Sequence, residues 1–259
     1  MKLGIIGYGN MGSAFARALR DQCELMVYDI NPDRLKAAKE DGVACASDLY
    51  FLLKESDHLM IAVKPKDIPG VLAEIRENMG EKIIISIAAG VEIASIKEMA
   101  GGHQRVIRMM PNLGVEVGKG VIAVSYAEGV GDDEREKIKE VFSALGRLYE
   151  IPEGMFDSFT AIAGSGPAFV LSFIDAMALA GVREGFPYPL ALEIVMETVS
   201  GTVELLKNKA VNPDDLVKKV ASPGGTTIEG LAYLERKGFK GTVIRCVEKT
   251  SEKAKRIKS

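Results

Sequence analysis

Short apolar runs alternate with amphipathic, helix-length segments from Met1 to Ile151. The pattern predicts strands at Leu3–Ile6, Glu24–Tyr28, His58–Val63, Ile83–Ile87, Arg105–Met109, Val121–Val124 and Arg147–Ile151. Asn31-Pro32 combines an N-cap with proline at the first helical position, Gly42 ends that helix, and Ser47 is expected to cap a further helix. This alternation predicts βαβ units and a mostly parallel sheet with helices on both faces.

Strand patterns stop after Pro152, and the rest of the chain is expected to be helical. The predicted helices are Phe156–Ala163, Pro167–Gly185, Pro189–Lys209, Pro213–Val220, Thr226–Lys237 and Thr242–Ile257. One architecture therefore replaces the other near Ile151–Gly154. We predict two domains, an α/β domain over residues 1–151 and an all-α domain over residues 152–259.

One predicted helix, Ala168–Val182, is apolar around nearly its whole circumference. Such a helix must be covered on all sides, and a domain of roughly a hundred residues has difficulty doing so alone. We expect a second subunit to pack there; the alternative is burial by helices of the same chain. The wider stretch Thr160–Val182 is long enough to span a bilayer, but Asp175 at its centre would cost about 2.5–3.5 kcal/mol there, so no membrane partner is expected.

Composition and charge are those of an ordinary soluble protein. The 259 residues are 47% hydrophobic and 27% charged, with a formal net charge of −3. Acidic and basic residues are interspersed, so no nucleic-acid partner is expected. The three cysteines and two histidines are too scattered for a disulfide framework or a metal site, and His58 is interpreted as a strand-edge residue. No secretory signal is recognised before the first strand, which predicts a cytoplasmic location.

A glycine-rich loop, Gly7-Tyr8-Gly9-Asn10-Met11-Gly12, directly follows the first predicted strand and opens a helix. In that position the G-x-G-x-x-G spacing has a mechanism. Gly7 permits the tight turn, Gly9 lets the backbone approach a pyrophosphate, and Gly12 lets helix and strand pack closely. The loop therefore predicts a Rossmann-type, doubly wound domain that binds a dinucleotide.

The second predicted strand ends at Tyr28-Asp29, where dinucleotide-binding domains recognise the adenosine ribose. An acid there usually accepts hydrogen bonds from the ribose hydroxyls of NAD and repels the 2′-phosphate of NADP. Asn31 and Arg34 follow closely and could bind that phosphate. The choice between NADH and NADPH therefore stays open, with a lean toward NAD.

Two further strand ends supply predicted cofactor residues. They carry Ala62-Val63-Lys64-Pro65 and Ala88-Ala89, and the carboxyl ends of parallel strands border the ligand crevice of a doubly wound sheet. Small residues leave room there for a nicotinamide ring, and Lys64 is a candidate cofactor contact. After another strand, Pro111 stops the strand and Asn112 could turn its amide toward the ligands.

A second glycine turn, Ser222-Pro223-Gly224-Gly225-Thr226-Thr227-Ile228-Glu229, lies near the end of the chain, before a predicted helix. Thr226 and Glu229 have the T-x-x-E spacing of a capping box. A helix N-terminus approached by glycine backbone and fringed with hydroxyls suits a small anion such as a carboxylate. From these residues alone, a well-capped helix and an anion pocket are equally good interpretations.

Three segments together carry a family resemblance. They are Arg108-Met109-Met110-Pro111-Asn112, Gly164-Ser165-Gly166-Pro167-Ala168-Phe169-Val170 and Ser222–Glu229. With the early glycine loop, the chain resembles pyrroline-5-carboxylate reductases over its whole length. The resemblance implies NADPH- or NADH-dependent reduction of Δ1-pyrroline-5-carboxylate to L-proline, the last step of proline synthesis. It also implies a Rossmann domain followed by a helical dimerisation domain, in homodimers that often assemble into larger rings, commonly decamers.

The resemblance also implies roles for the second glycine turn. Ser222, Gly225, Thr226 and Thr227 fall where the family holds the substrate carboxylate and ring, and Gly224 belongs to the same turn. Thr227 corresponds to the hydroxyl that hydrogen-bonds the ring nitrogen. Because a threonine hydroxyl is a poor acid, we assign this catalytic residue to orientation and polarisation, with proton delivery through water as an option.

Two positions depart from the family pattern. Relatives commonly carry an Asp where this chain has Lys218, and some carry an acid where it has Ala210, which affects contacts around the ring nitrogen. The alternatives are a reductase of the β-hydroxyacid dehydrogenase type and a catalytically silent dinucleotide-binding paralogue. The former place a catalytic Lys, and an Asn four residues later, on the first long helix of the second domain, whereas Gly166–Ile174 contains neither.

Overall fold

The computed structural model describes residues 1–209 and 211–257, which form two compact units. The first contains Met1–Ser165 and the end of the last helix from Ser251, and the second is Gly166–Thr250. Residues 258–259 and Ala210, one of the two departures from the family pattern, lie outside the described residues. The predicted domains, 1–151 and 152–259, divide the chain at a different place and stay a prediction.

An eight-stranded sheet forms the centre of the first unit. Its strands are β1 (Lys2–Ile6), β2 (Glu24–Tyr28), β3 (Ala44–Cys45), β4 (His58–Ile61), β5 (Ile83–Ser86), β6 (Val106–Met110), β7 (Gly120–Tyr126) and β8 (Gly146–Glu150). They lie in the order β3-β2-β1-β4-β5-β6-β7-β8, and β6 with β7 is the antiparallel pair. The predicted mostly parallel, doubly wound sheet is confirmed. Its strand order reverses between β1 and β4, where such sheets bind ligands.

The core of this unit lies on both faces of the sheet. On β1, Ile5 belongs to one buried apolar cluster, with Phe15 and Phe142, while Ile6 belongs to a second cluster on the other face, with Leu72. Successive strand residues point to opposite faces, so a strand that is apolar throughout is buried on both sides. This burial holds the carboxyl ends of β1 and β4 in place.

Helices cover both faces of the sheet. They are α1 (Asn10–Leu19), α2 (Pro32–Glu40), α3 (Leu49–Glu55), α4 (Ile68–Ile75), α5 (Ile93–Met99), α6 (Asp132–Phe142) and α7 (Phe156–Phe159), which a π-helical turn over Thr160–Gly164 follows. The predicted cap of α2 is confirmed, because the Asn31 side chain accepts a hydrogen bond from the Asp33 N–H at 2.9 Å. The predicted Ser47 cap is wrong. Asp48 caps α3 by accepting from the Phe51 N–H at 2.7 Å, and Ser47 donates to Asp48.

The second unit is helical, as predicted. It contains α8 (Gly166–Arg183), α9 (Tyr188–Lys209), α10 (Pro213–Val220), α11 (Thr226–Arg236) and most of α12 (Phe239–Ile257). Helices α8 and α9 pack closely at Gly181, where an added Cβ would lie 2.9 Å from the Ala191 methyl group. The Tyr188 hydroxyl donates to Asp175 at 2.8 Å, which ties the start of α9 to the middle of α8.

Large apolar side chains of α8 are exposed in the single chain. Leu171 is 59% exposed, and Val170, Phe173, Met177, Leu179 and Val182 are exposed as well. Burial of this helix by the chain's own helices, the alternative considered above, is therefore wrong. The longer segment Glu153–Arg183 is long and apolar enough to cross a membrane, by length and composition alone. In water, an apolar face of this kind requires a partner surface.

Candidate functional site

A cleft of about 680 Å³ opens in the first unit, at the carboxyl ends of β1, β2, β4 and β5. Most of the predicted cofactor residues line it, namely Gly7, Gly9, Asn10, Met11, Asp29, Ala62, Val63, Lys64, Pro65, Ala88 and Ala89. The structure thus brings four separate segments of the chain to one place. Their contacts with a cofactor stay a prediction.

The glycine loop shapes the end of the cleft next to α1. Gly7 has φ 103°, a conformation that favours glycine, and its N–H donates to the Tyr28 carbonyl at 2.8 Å. A Cβ on Gly12 would overlap the Gly7 carbonyl oxygen. Gly9 is the N-cap residue of α1, and no side chain caps that helix. The first amides of α1 are therefore left for a ligand, and this cradle fits the pyrophosphate of a dinucleotide.

Asp29 binds the backbone around the cleft. Its Oδ2 accepts from the Tyr8 N–H at 2.7 Å, and its Oδ1 accepts from the Asn31 N–H at 2.8 Å. The Arg34 guanidinium donates to Oδ2 at 3.3 Å. The Asp29 side chain is only 4% exposed, whereas that of Arg34 is 49% exposed and also lines the cleft. One buried carboxylate thus joins the glycine loop, the β2–α2 turn and an arginine.

Among the described residues, the lining of the cleft does not include four predicted cofactor residues: Tyr8, Gly12, Asn31 and Asn112. The Tyr8 ring is buried, and its hydroxyl donates to Asp41 at 2.6 Å. Arg17 donates to the same carboxylate at 3.1 Å. Burial, and then the hydrogen bond to Asp41, raises the pKa of the Tyr8 phenol. The Tyr8 side chain therefore holds the glycine loop through its bond to Asp41, and Tyr8 is not part of the cleft lining.

Asn112 directs its side chain to the backbone. Its Nδ2 donates to the Ala163 carbonyl at 3.0 Å, and its Oδ1 accepts from the N–H groups of Gly114 and Val121 at 3.1 Å each. These bonds connect the end of β6 to β7 and to the π-helical turn. The assignment of Asn112 to the cofactor site stays a prediction, with its amide already satisfied by backbone groups.

The cleft has further lining residues that the sequence motifs did not assign to it. They are Ile6, Tyr28, Ile30, Leu49, Lys66, Asp67, Val71, Glu74 and Ile87. Arg34, which the sequence suggested as a phosphate ligand, lines the cleft as well. Ile30 directly follows Asp29 in the sequence, which is the signal that could have assigned it to the cleft, and its side chain is 89% exposed. Val71 and Glu74 lie one turn apart on α4, so their part in the cleft follows only from the docking of that helix.

The second glycine turn has a different cap from the predicted one. Thr226 is the first residue of α11, and Gly225 is its N-cap with an extended backbone (φ −82°, ψ 175°) and no side-chain hydrogen bond. The capping box is therefore wrong. The Gly225 N–H donates to the Ser222 carbonyl at 3.1 Å, and a Cβ on Gly225 would clash with the Ser222 hydroxyl. The first amides of α11 are left without a side-chain acceptor.

The five predicted substrate residues lie together in this turn. Gly224 has φ 68°, which reverses the chain between Ser222 and the helix. Ser222 and Thr226 are exposed, and Thr227 is half-buried at the second position of α11. The turn carries three hydroxyl groups beside a helix N-terminus, an arrangement that suits a small anion such as a carboxylate. Their role in substrate binding stays a prediction.

Two known families match separate regions of the chain. Residues 153–257 match the family described as pyrroline-5-carboxylate reductase dimerisation. Residues 2–90 match the family described as NADP oxidoreductase, coenzyme F420-dependent. The first match includes the exposed face of α8, and the second includes the glycine loop.

Individual relatives match nearly the whole chain. A pyrroline-5-carboxylate reductase of Aquifex aeolicus is 49% identical over 99% of this chain and 97% of its own length. The crystal structure of a Plasmodium falciparum pyrroline carboxylate reductase with NADP bound has a TM-score of 0.91 at 32% identity, covering 100% and 98% of the two chains. A 1-pyrroline-5-carboxylate reductase of Streptococcus pyogenes has a TM-score of 0.90 at 34% identity, covering 98% of each chain.

Proposed function

The chain belongs to the pyrroline-5-carboxylate reductase family, and we propose that it reduces Δ1-pyrroline-5-carboxylate to L-proline, the last step of proline biosynthesis. It is an oxidoreductase with a Rossmann-type domain that uses a reduced nicotinamide cofactor. The observation that carries the proposal is that a chain of this family contains two helices whose N-cap is a glycine in a glycine-rich turn, Gly9 before α1 and Gly225 before α11, neither with a side-chain cap. The first suits a pyrophosphate and the second a carboxylate.

The reaction adds a hydride and a proton across a C=N bond. The nicotinamide, when bound, supplies the hydride that the imine carbon accepts, while the ring nitrogen gains a proton. The chain's own contribution is to bind and orient. The glycine loop and the start of α1 hold the pyrophosphate, and the small residues Ala62, Ala88 and Ala89 leave room for the nicotinamide ring.

The substrate is held by the turn before α11. Its carboxylate accepts hydrogen bonds from the Thr226 and Thr227 amides and the Ser222 hydroxyl, because no side chain of the turn satisfies those amides. The Thr227 hydroxyl donates to the ring nitrogen and fixes the orientation of the imine. Alignment of two reactants at near-attack distance supplies a large share of the rate acceleration, so no strong acid is required of Thr227.

The protein self-associates through its helical region, which matches the dimerisation family. The dimer buries the exposed face of α8, because that face is too apolar to remain in water. Dimers assemble further into rings, as in other members of the family, and the enzyme works in the cytoplasm. Neither a membrane nor a nucleic acid is a proposed partner, because Asp175 interrupts the apolar stretch of α8 and acidic and basic residues are interspersed along a chain of net charge −3.

The direct test is cofactor oxidation with purified protein, pyrroline-5-carboxylate and either NADH or NADPH. We expect substrate-dependent loss of absorbance at the nicotinamide band, with proline as the product by chromatography. A matched reaction with a 3-hydroxy acid and oxidised cofactor tests the β-hydroxyacid dehydrogenase alternative and should show no turnover. Tight cofactor binding without turnover of the pyrroline would instead identify a silent paralogue.

A further inference from the structure

Arg34 and Asp29 both line the cleft near the end of β2, where dinucleotide-binding domains recognise the adenosine ribose. The sequence favoured NADH on the strength of Asp29, because an acid at the end of β2 usually bonds the ribose hydroxyls. That role requires carboxylate oxygens that are free and directed at the ligand. The structure shows a carboxylate that is buried and already bonded.

Three donors occupy the two oxygens of Asp29. The Tyr8 and Asn31 N–H groups donate at 2.7 and 2.8 Å, and the Arg34 guanidinium donates at 3.3 Å. The side chain is 4% exposed. Both oxygens are therefore occupied by protein donors and almost wholly buried, which leaves little of either oxygen for the ribose hydroxyls of a ligand.

Arg34 is placed differently from its partner. Its side chain is 49% exposed and lines the cleft, and its Nη1 lies 3.6 Å from where a Cβ on Gly9 would be. A guanidinium has five N–H donors in a planar fork, and the bond to Asp29 uses one of them. The remaining donors suit a phosphate, which arginine binds through two parallel hydrogen bonds.

From these contacts we infer that Arg34 is the specificity residue of the cofactor site and makes the enzyme prefer NADPH by binding its 2′-phosphate. Asp29 is a positioning residue, which holds Arg34 against the glycine loop and holds the loop itself. The inference rests on the proposed function, because it assigns the preference of the same nicotinamide site. It reverses the lean toward NAD that the sequence suggested.

Calorimetric titration with two adenosine nucleotides tests the inference without turnover. Adenosine 2′,5′-bisphosphate carries the phosphate that distinguishes NADPH, and adenosine 5′-monophosphate lacks it. We expect Arg34→Met to weaken binding of the bisphosphate at least about tenfold, the loss of a charge-assisted hydrogen bond, and to change binding of the monophosphate less than about twofold. Arg76→Met, which removes an exposed arginine outside the cleft lining, is the control and should change neither.

Steady-state kinetics provide the second readout. We expect the unmodified enzyme to have a higher kcat/KM with NADPH than with NADH, and Arg34→Met to lower that ratio about tenfold. Asp29→Ser distinguishes a positioning role of Asp29 from a role as ligand of the ribose hydroxyls. As a positioning residue, its loss weakens both cofactors, whereas as a ribose ligand its loss would weaken NADH and improve NADPH.

The outcomes separate this inference from the proposed function. Equal losses of both nucleotides in Arg34→Met, or no loss of either, would overturn the role of Arg34 even if the pyrroline is reduced. A preference for the bisphosphate that depends on Arg34, in a protein that does not reduce the pyrroline, would support Arg34 and overturn the proposed function. If Asp29→Ser fails to fold, the comparison of Arg34→Met with Arg76→Met still decides.

Discussion

His58 is a buried imidazole in the middle of the sheet. It opens β4 opposite Leu3 of β1 and Ile83 of β5, and it is 5% exposed. Neither ring nitrogen has a hydrogen-bond partner among the described residues. Burial, with a smaller contribution from Lys137, lowers the pKa of this imidazole to about 4. His58 is the first residue of β4, at the end of the strand as the sequence predicted, and β4 itself has strands on both sides.

The lowered pKa makes stability depend on pH. Well above pH 6.5 the imidazole is neutral in both the folded and the unfolded chain, so it adds nothing to the pH dependence of the free energy of unfolding. As pH falls from 6.5 toward 4, the unfolded chain binds a proton that the folded chain refuses, and the free energy of unfolding decreases. We expect a loss of about 2 kcal/mol between pH 7 and pH 5 from this group, measured by urea unfolding at both values.

A replacement at position 58 isolates this effect. His58→Leu should remove that part of the pH dependence, while His103→Leu should keep it, because His103 is half-buried and bonds the Lys82 carbonyl at 2.7 Å. If the unmodified protein and His58→Leu lose the same stability on acidification, the buried imidazole is not the cause.

Thr227 is the residue on which the proposed chemistry depends. We expect Thr227→Ala to lower kcat about tenfold, the value of one hydrogen bond to a developing charge, and to leave cofactor affinity unchanged. Thr227→Ser keeps the hydroxyl and should recover most of the activity. Parallel losses in kcat and in NADPH binding would remove Thr227 from the substrate site. Stopped-flow single turnovers and cofactor titration give the two quantities.

At the scale of the element, the packing of α1 against the glycine loop requires that Gly12 has no side chain. A Cβ on Gly12 would overlap the Gly7 carbonyl oxygen and lie 3.3 Å from the Ala62 methyl group. We expect Gly12→Ala to lower the free energy of unfolding by about 1–3 kcal/mol and to weaken cofactor binding, because the loop must move. Thermal unfolding and cofactor titration measure both effects.

The control for this element is Gly70→Ala, on α4. Apart from its chain neighbours and the backbone of its own helix, no atom of the described residues lies within 4 Å of a Cβ at that position, and alanine has the higher helix propensity. We expect no loss of stability there, and a gain of about 0.5–1 kcal/mol is the ordinary result of such a change. A loss equal to that of Gly12→Ala would mean that packing against Gly7 is not what matters.

The strands and helices were largely predictable, whereas two of their caps were not. Strands β1 and β2 and helix α10 were placed by apolar period and turn residues, which act over neighbouring positions. Ser47 and Asp48 are both good cap residues, and only the backbone decides which one takes the position. Similarly, Gly225 and not Thr226 is the N-cap residue of α11, because the residue that enters the helix with an extended backbone is Gly225.

For the whole molecule, the exposed apolar face of α8 is the surface that we propose for the dimer. We expect Leu171→Glu to break the dimer, because burying an unpaired charge in an apolar interface costs several kcal/mol. Light scattering after size-exclusion chromatography measures the mass. Val117→Glu is the control, since Val117 is an exposed apolar residue outside the region that matches the dimerisation family.

The two variants should differ in mass. Leu171→Glu should elute as a monomer or show a mass that falls on dilution, and Val117→Glu should remain at least a dimer. A stable dimer of Leu171→Glu would show that another face of the helical region joins the subunits.

The sequence by itself determined the order of elements, the glycine loop and the family, because these depend on residues within one strand or one turn of each other. Only the tertiary structure decided which polar groups remain available to ligands. Asp29 is bonded to a Tyr8 amide 21 residues away, and Asn112 to a carbonyl 51 residues away. Such partners, and the burial of His58, come from distant segments that meet only when the sheet forms. Hydrogen bonding and burial therefore add information about Asp29 that its residue type alone does not give.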